Sequence, residues 1–292
     1  MATTLTTPSA GEVPAMLETL RSWQRDDAPV HLHPGDIGWH GGRGAERTAA
    51  DLRIWSLAGG PTAIGMLDGP DLLRLAVDPV HVRDRDLASR MADDLCDPSG
   101  GALPDGEVFL EARSATALRT VLGERGWQED EPWVVLRRDL GDPVEESALS
   151  LEVVGAADPS DFTAVHRSAF ASPACTDERW RTLAAQSAAR DATALLGRDR
   201  SGAAVAIAMV WPAGPGRPGL IEPMGVHAEH RGRGHGRAIC RAAAARLRAD
   251  GSSSAVVVTP RSLTGAVATY EAAGFRAGTD SRDLRRPADQ RR

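Results

Sequence analysis

The 292-residue chain is 42% hydrophobic and 25% charged, with a formal net charge of −6 and three cysteines. That balance is ordinary for a globular protein and excludes a fibrous, disordered or disulfide-stapled chain. No window of 18 residues is apolar throughout, and the N-terminal residues lack a basic region with an apolar core. No membrane span and no signal peptide are therefore expected, and a reduced, cytoplasmic setting is.

Every basic residue is arginine, which fits a GC-rich coding sequence of the actinobacterial kind. The charge is uneven: residues 1–146 hold 14 arginines against 26 acidic residues, and residues 147–292 hold 20 against 14. The basic second half suits an anionic ligand. An acidic chain with one Tyr and four Phe is poorly equipped to stack bases, so no nucleic-acid partner is expected.

In the first half, apolar runs predict strands at about residues 53–56, 63–67, 72–77 and 108–112, and helices at 86–95 and 116–124. Before them stand His31, His33 and His40. A His-x-His pair on a strand puts two imidazoles on one face. No cysteine or carboxylate at ligand spacing completes a set, so these are expected to be incidental surface histidines, and no metal is expected. Residues 139–148 are polar, contain Gly and Pro, and read as a linker between domains at 1–146 and 150–292. Beyond it, strands are predicted at 151–154, 193–196, 204–211, 220–226 and 255–259, with a last strand from about 275. Helices are predicted at 162–170, 177–189, 234–248 and 265–273. Strands interleaved with helices predict an α/β (α+β) fold, each domain a mixed central sheet flanked by helices.

The halves echo each other. Arg113 and Ser114 precede a helical segment ending in Gly126 and Trp127, and Arg261 and Ser262 precede one ending in Gly274 and Phe275, an offset of 148 residues. Val77 and His81 match Val226 and His230 at an offset of 149. A period of this length means duplicated domains.

One turn carries chemistry. Arg231, Gly232, Arg233, Gly234, His235 and Gly236 lie between a predicted strand and a predicted helix. Glycines allow positive φ and close backbone approach, and successive N–H groups at a helix N-terminus favour a phosphate. The flanking Arg231, Arg233 and Arg237 can add charge-assisted hydrogen bonds. The spacing is neither that of the P-loop nor that of the dinucleotide fingerprint. It is [R/Q]-x-x-G-x-G, with Arg231, Gly234 and Gly236 in the fixed places.

In that spacing the run from Glu222 to Gly236 resembles the coenzyme A pyrophosphate signature of the GNAT superfamily of N-acetyltransferases. The run from Ala266 to Phe275, with Tyr270, Gly274 and Phe275, resembles the family's closing motif, A-x-x-x-Y-x-x-x-G-F. The resemblance covers residues 150 to 286 and implies two tandem GNAT-like domains, the second binding acetyl-CoA as acyl donor. It implies that Val226, His227 and Ala228 bond the pantetheine arm. Arg231, Gly232, Arg233, Gly234, His235, Gly236 and Arg237 would hold the pyrophosphate. Tyr270 would protonate the leaving thiolate, and Glu222 would take the proton of the attacking amine, with Asp177 and Glu178 as rival carboxylates. Leu263 departs from the family, which often has Asn there.

In the first half Val82 to Leu87 occupy the matching turn. Both glycines are gone, Leu87 stands for Gly236, Asp84 and Asp86 would repel phosphate, and Leu122 stands for Tyr270. This copy is expected to be degenerate, with a structural or substrate-side role. The expected activity is acetyl-CoA-dependent transfer to a primary amine of a small molecule, by direct attack on the thioester. A narrower reading is the cysteinyl glycoside acetylation of mycothiol synthases, which the tandem architecture resembles. A reading of another class is a non-catalytic acyl-CoA sensor. A monomer or homodimer, with no nucleic-acid or membrane partner, completes the expectation.

Overall fold

The computed structural model describes residues 3–57, 59–97 and 100–288. Contacts divide the chain into two compact units. The first comprises the described residues of 1–33, 45–133 and 280–292, and the second comprises 34–44 and 134–279. The division is not a linear cut. A short piece of the first half belongs to the second unit, and the last strand ends in the first.

In the first unit, strands β1 (Thr4–Thr6), β2 (Leu52–Leu57), β3 (Gly60–Leu67), β4 (Leu72–Val77) and β5 (Val108–Glu111) are neighbours in that order, followed by the end of β12 (Arg276–Arg286). The first four are antiparallel, β5 runs parallel to β4, and β12 returns antiparallel to β5. Helices α1 (Val13–Trp23), α3 (Ala45–Ala50), α4 (Arg85–Cys96) and α5 (Thr116–Glu124) complete the unit. Leu87, Met91 and Leu95 recur at helical spacing and share one core with Leu75, Val77, Leu110, Leu118 and Leu122.

The histidines expected on the surface are buried, which corrects that reading. His31, His33 and His40 are at most 3% exposed. His31 reaches Gln24 and Ser114, each at 3.2 Å. Its burial pushes the imidazole down to about 4, so it stays neutral, as a satisfied core histidine does.

In the second unit, the order of strands is the end of β6 (Gln128–Asp139), then β11 (Ser254–Pro260), β10 (Gly219–Val226), β9 (Ala204–Trp211), β8 (Thr193–Arg198) and β7 (Ser150–Val153). β10 and β11 are a parallel pair, and β7, β8, β9 and β10 are successive antiparallel neighbours. The helices are α2 (Pro34–His40), α6 (Ser160–Phe170), α7 (Asp177–Ala184), α8 (His235–Ala249) and α9 (Thr264–Ala272). The helix expected over 177–189 stops at Ala184 and gives way to a 3-10 turn over Ser187–Asp191.

Strand β9 is an unbroken apolar run because both its faces are covered. Ala206, Ala208 and Val210 join the core with α8, and Ile207, Met209 and Trp211 join the core with α6 and α7. Helix α8 buries Ile239, Ala242, Ala243 and Leu247, while Arg246 and Arg248 fall in its last turn, where the helix dipole favours cations. Leu247 is fully buried, and a Cβ on Gly219 would lie 2.4 Å from its Cδ2. Truncating Leu247 to Ala is expected to cost about 2–5 kcal/mol. The change is read as a lower urea midpoint at unchanged slope. A loss below about 0.5 kcal/mol would contradict this packing.

Candidate active site

The site is built on a strand that loses its partner. β10 and β11 pair at Gly219–Ala255 and Leu220–Val256, and the register of β10 against β9 shifts between Ile221 and Met224. Beyond that bulge β10 keeps β9 on one side, while among the described residues its pairing with β11 ends at Leu220. His227 N–H donates to the Val205 carbonyl at 2.9 Å. Hydrogen-bonding directions alternate along a strand, so the polar groups of Val226 point to the open side. The N–H of Ala228 is already used: it donates to Ser168 Oγ at 3.0 Å. Of the strand-end residues expected to bond pantetheine, His227 and Ala228 therefore spend their N–H groups within the protein.

The glycines of the turn meet three separate demands. Gly232 and Gly234 have φ of 75° and 83°, in the left-handed region that a side chain disfavours. Gly234 is the N-cap of α8 and has no side chain to cap it, so the first N–H groups of the helix are left for a ligand. Gly236 has ordinary φ. A Cβ there would lie 2.8 Å from Thr269 on α9, so helix packing requires this glycine. The arginines also divide. Arg231 donates to the Ala169 carbonyl at the end of α6 at 2.6 Å and anchors that helix. Arg233 and Arg237 line a cavity of about 480 Å³ with Asp199, Arg200, Gly234 and His235.

The matching place in the first unit is closed. Asp84 is the N-cap of α4, and its Oδ1 accepts the Leu87 N–H at 2.9 Å. A carboxylate thus occupies the end of the helix where an anion would bind. Leu87 is a core residue, and the space among Val77, Val82, Asp84, Leu87 and Leu118 is about 10 Å³.

Tyr270 and Glu222 come within electrostatic reach of each other. Tyr270 is 7% exposed, and its ring meets Phe275 edge-on at 5.9 Å. Burial first, then the Cys240 thiol and the Glu222 carboxylate, hold its phenol well above the usual tyrosine range. Glu222 is half-buried in the bulge, and its carbonyl accepts the Trp211 indole N–H at 2.6 Å. Of the rival carboxylates, Asp177 accepts from Thr163 Oγ1 at the start of α7, and Glu178 is exposed. Leu263, in the place where Asn was expected, is the N-cap of α9 and 54% exposed.

The sequence alone did not reveal an aromatic row beside β10. Trp39 of α2 stacks on His166 at 5.4 Å, and His166 meets Phe170 at 4.6 Å. The Phe170 ring crosses Gly225, whose added Cβ would lie 3.2 Å from it. Burial, with Arg179 and Arg167 nearby, pushes His166 down to about 4. Its Nδ1 is buried without a hydrogen-bond partner among the described residues. The spacing of His166 and Phe170 by one helical turn was a legible signal; their meeting with Trp39 was not.

Residues 160–275 match the acetyltransferase (GNAT) family model. No curated protein sequence matches the chain. Among solved structures, the chain is similar to a tandem GNAT protein from the clavulanic acid biosynthesis pathway, at 15% identity and a TM-score of 0.60, with 100% of each chain covered. It is similar to a GCN5-related N-acetyltransferase from Sphaerobacter thermophilus, at 18% identity and a TM-score of 0.57, covering 97% of this chain and 95% of that one. An acetyltransferase of the GNAT family from Colwellia psychrerythraea matches at 12% identity and a TM-score of 0.59, with 98% of each chain covered. At such identities these likenesses speak for the fold, and the family match speaks for the domain. The fold is thus that of tandem GNAT proteins, and the chain, carrying a GNAT acetyltransferase domain at residues 160–275, is an acyltransferase of the class that uses acyl-CoA.

Proposed function

We propose that the second unit transfers an acetyl group from acetyl-CoA to a primary amine of a small molecule. One arrangement carries this reading: an uncapped, glycine-initiated helix N-terminus follows the end of β10, where the polar groups of Val226 face away from β9, and the buried Tyr270 phenol lies within electrostatic reach of the Glu222 carboxylate on the same strand. The pyrophosphate would rest on the N–H groups of His235, Gly236 and Arg237, with Arg233 and Arg237 adding charge. Gly232 and Gly234 shape that turn, and the pantetheine arm would fill the open side of β10 at Val226. The first unit, with its helix end capped by Asp84, would take no cofactor.

The steps balance without a metal. Glu222 accepts a proton from the ammonium, directly or through water. The freed amine attacks the thioester carbon, and the Val226 N–H stabilises the oxyanion. The C–S bond breaks, and the Tyr270 hydroxyl gives its hydrogen bond, then its proton, to the departing sulfur. The attacking nitrogen, made acidic by the new C–N bond, loses its second proton to solvent, and the proton held by Glu222 returns through solvent to the phenolate, so that one proton is released for each ammonium acetylated. The acceptor would lie along Trp39, His166 and Phe170. Aromatic faces attract an ammonium, and a neutral His166 does not repel it. The free thiols of Cys96, Cys175 and Cys240 fit a cytoplasmic setting.

Free thiol release from acetyl-CoA tests this over amines, aminoglycosides, amino acids and cysteinyl glycosides. The expected result is turnover with at least one amine class and a product acetylated on nitrogen. Cofactor binding with no turnover over the whole panel would replace the enzyme by an acyl-CoA sensor.

A further inference from the structure

Three donors from three separate elements converge beside the glycine turn. Asp199 stands in the turn between β8 and β9, His230 in the 3-10 turn after β10, and His235 opens α8. One ligand atom from each lies within 4.8 Å of the others. The His230 and His235 rings are 6.3 Å apart at their centroids. Two imidazoles sharing one ion at about 2.0–2.1 Å from each nitrogen place their centroids about 5–6 Å apart, so a small side-chain rotation closes the set.

The carboxylate is already oriented. Asp199 Oδ1 accepts the Ser201 N–H at 2.9 Å, the Ser201 hydroxyl at 2.6 Å and the Ala203 N–H at 3.2 Å. These bonds fix the group and leave Oδ2 to project, the kind of outer support that ligating carboxylates have. The nearest competitor is Arg233, whose Nη1 lies 3.5 Å from His230 Nδ1, at the outer limit of a hydrogen bond. Its long side chain can swing away. The arginines that line the adjoining cavity oppose any cation held by charge alone. Two imidazoles and one carboxylate overcome that opposition for a transition ion, which binds nitrogen covalently, and not for Mg²⁺, which prefers oxygen and water.

We propose that Asp199, His230 and His235 bind one divalent transition ion of the zinc class. Its fourth position opens to the cavity and takes water or a phosphate oxygen. The ion has no part in acyl transfer, and the site stands whether or not the chain transfers acetyl groups.

Calorimetric titration of the whole chain with Zn²⁺, in the absence of acetyl-CoA, tests this. One Zn²⁺ per chain is expected, undisturbed by excess Mg²⁺. Asp199→Asn and His230→Gln should each weaken binding by about 10-fold or more. Asp199→Asn keeps an oxygen for the hairpin bonds, so an unchanged Tm separates lost ligation from lost folding. Co²⁺ bound in place of Zn²⁺ should show the visible absorption of a low-coordinate site. No Zn²⁺ uptake, or uptake by the two variants as tight as that of the unaltered chain, overturns the proposal.

Discussion

Replacing Tyr270 by Phe is expected to lower kcat by about 10²–10⁴-fold, the range that one general acid contributes, with little change in acetyl-CoA affinity. The hydroxyl makes no hydrogen bond among the described residues, and the ring would keep its contact with Phe275. Fold stability should therefore change little, and the loss belongs to the step in which sulfur leaves. Burial, Cys240 and Glu222 all raise the phenol above its ordinary value of about 10, so the acid form persists throughout the usual assay range. No fall in kcat from Tyr270 is expected below about pH 10. The same burial makes a lone phenolate costly, so the proton moves only as charge develops on sulfur. Equal turnover in the Phe variant would remove Tyr270 from the mechanism.

Gly234→Leu should raise the KM for acetyl-CoA by about 10–100-fold. Two costs combine. A side chain at φ 83° costs about 1–2 kcal/mol, and its bulk enters the cavity at the end of α8. Nothing lies within 4 Å of a Cβ at Gly234, so the protein core is undisturbed and the effect falls on the ligand. Gly236 would be a poor choice for this test. Its substitution collides with Thr269 at 2.8 Å and confuses lost binding with damaged packing.

The strand–turn–helix order around Arg231 to Gly236 was legible because local requirements fix it. Left-handed φ at Gly232 and Gly234 needs glycine, and Ala-rich α8 is helical by propensity and by its apolar face. The paired halves were legible for the same reason: Gly126 and Gly274 both end helices at positive φ. The role of Gly236 was not, since its neighbour Thr269 is 33 positions away and meets it only once α8 and α9 pack. Nor was the hydrogen bond by which Arg231 holds the last turn of α6.

Residues 1–50 divide in the same way. Val13, Leu17 and Leu20 give α1 a helical repeat that pattern reading can find. Segment α2, with Pro34, Gly35 and Gly38, has no such pattern and low propensity. It is helical through tertiary contact. Gly38 lies flat against the Trp211 ring, where a Cβ would be 2.3 Å from a ring carbon, and Trp39 reaches His166. That docking also explains the buried His40, because the segment it ends is a covered one.

The central claim is that this duplicated chain keeps one working cofactor site, at the glycine turn of the second unit. Calorimetric titration of the intact chain with acetyl-CoA, alongside Gly234→Leu, tests it most directly. One site per chain, weakened in the variant, is the predicted result. Two sites per chain, or one site indifferent to Gly234→Leu, would contradict it.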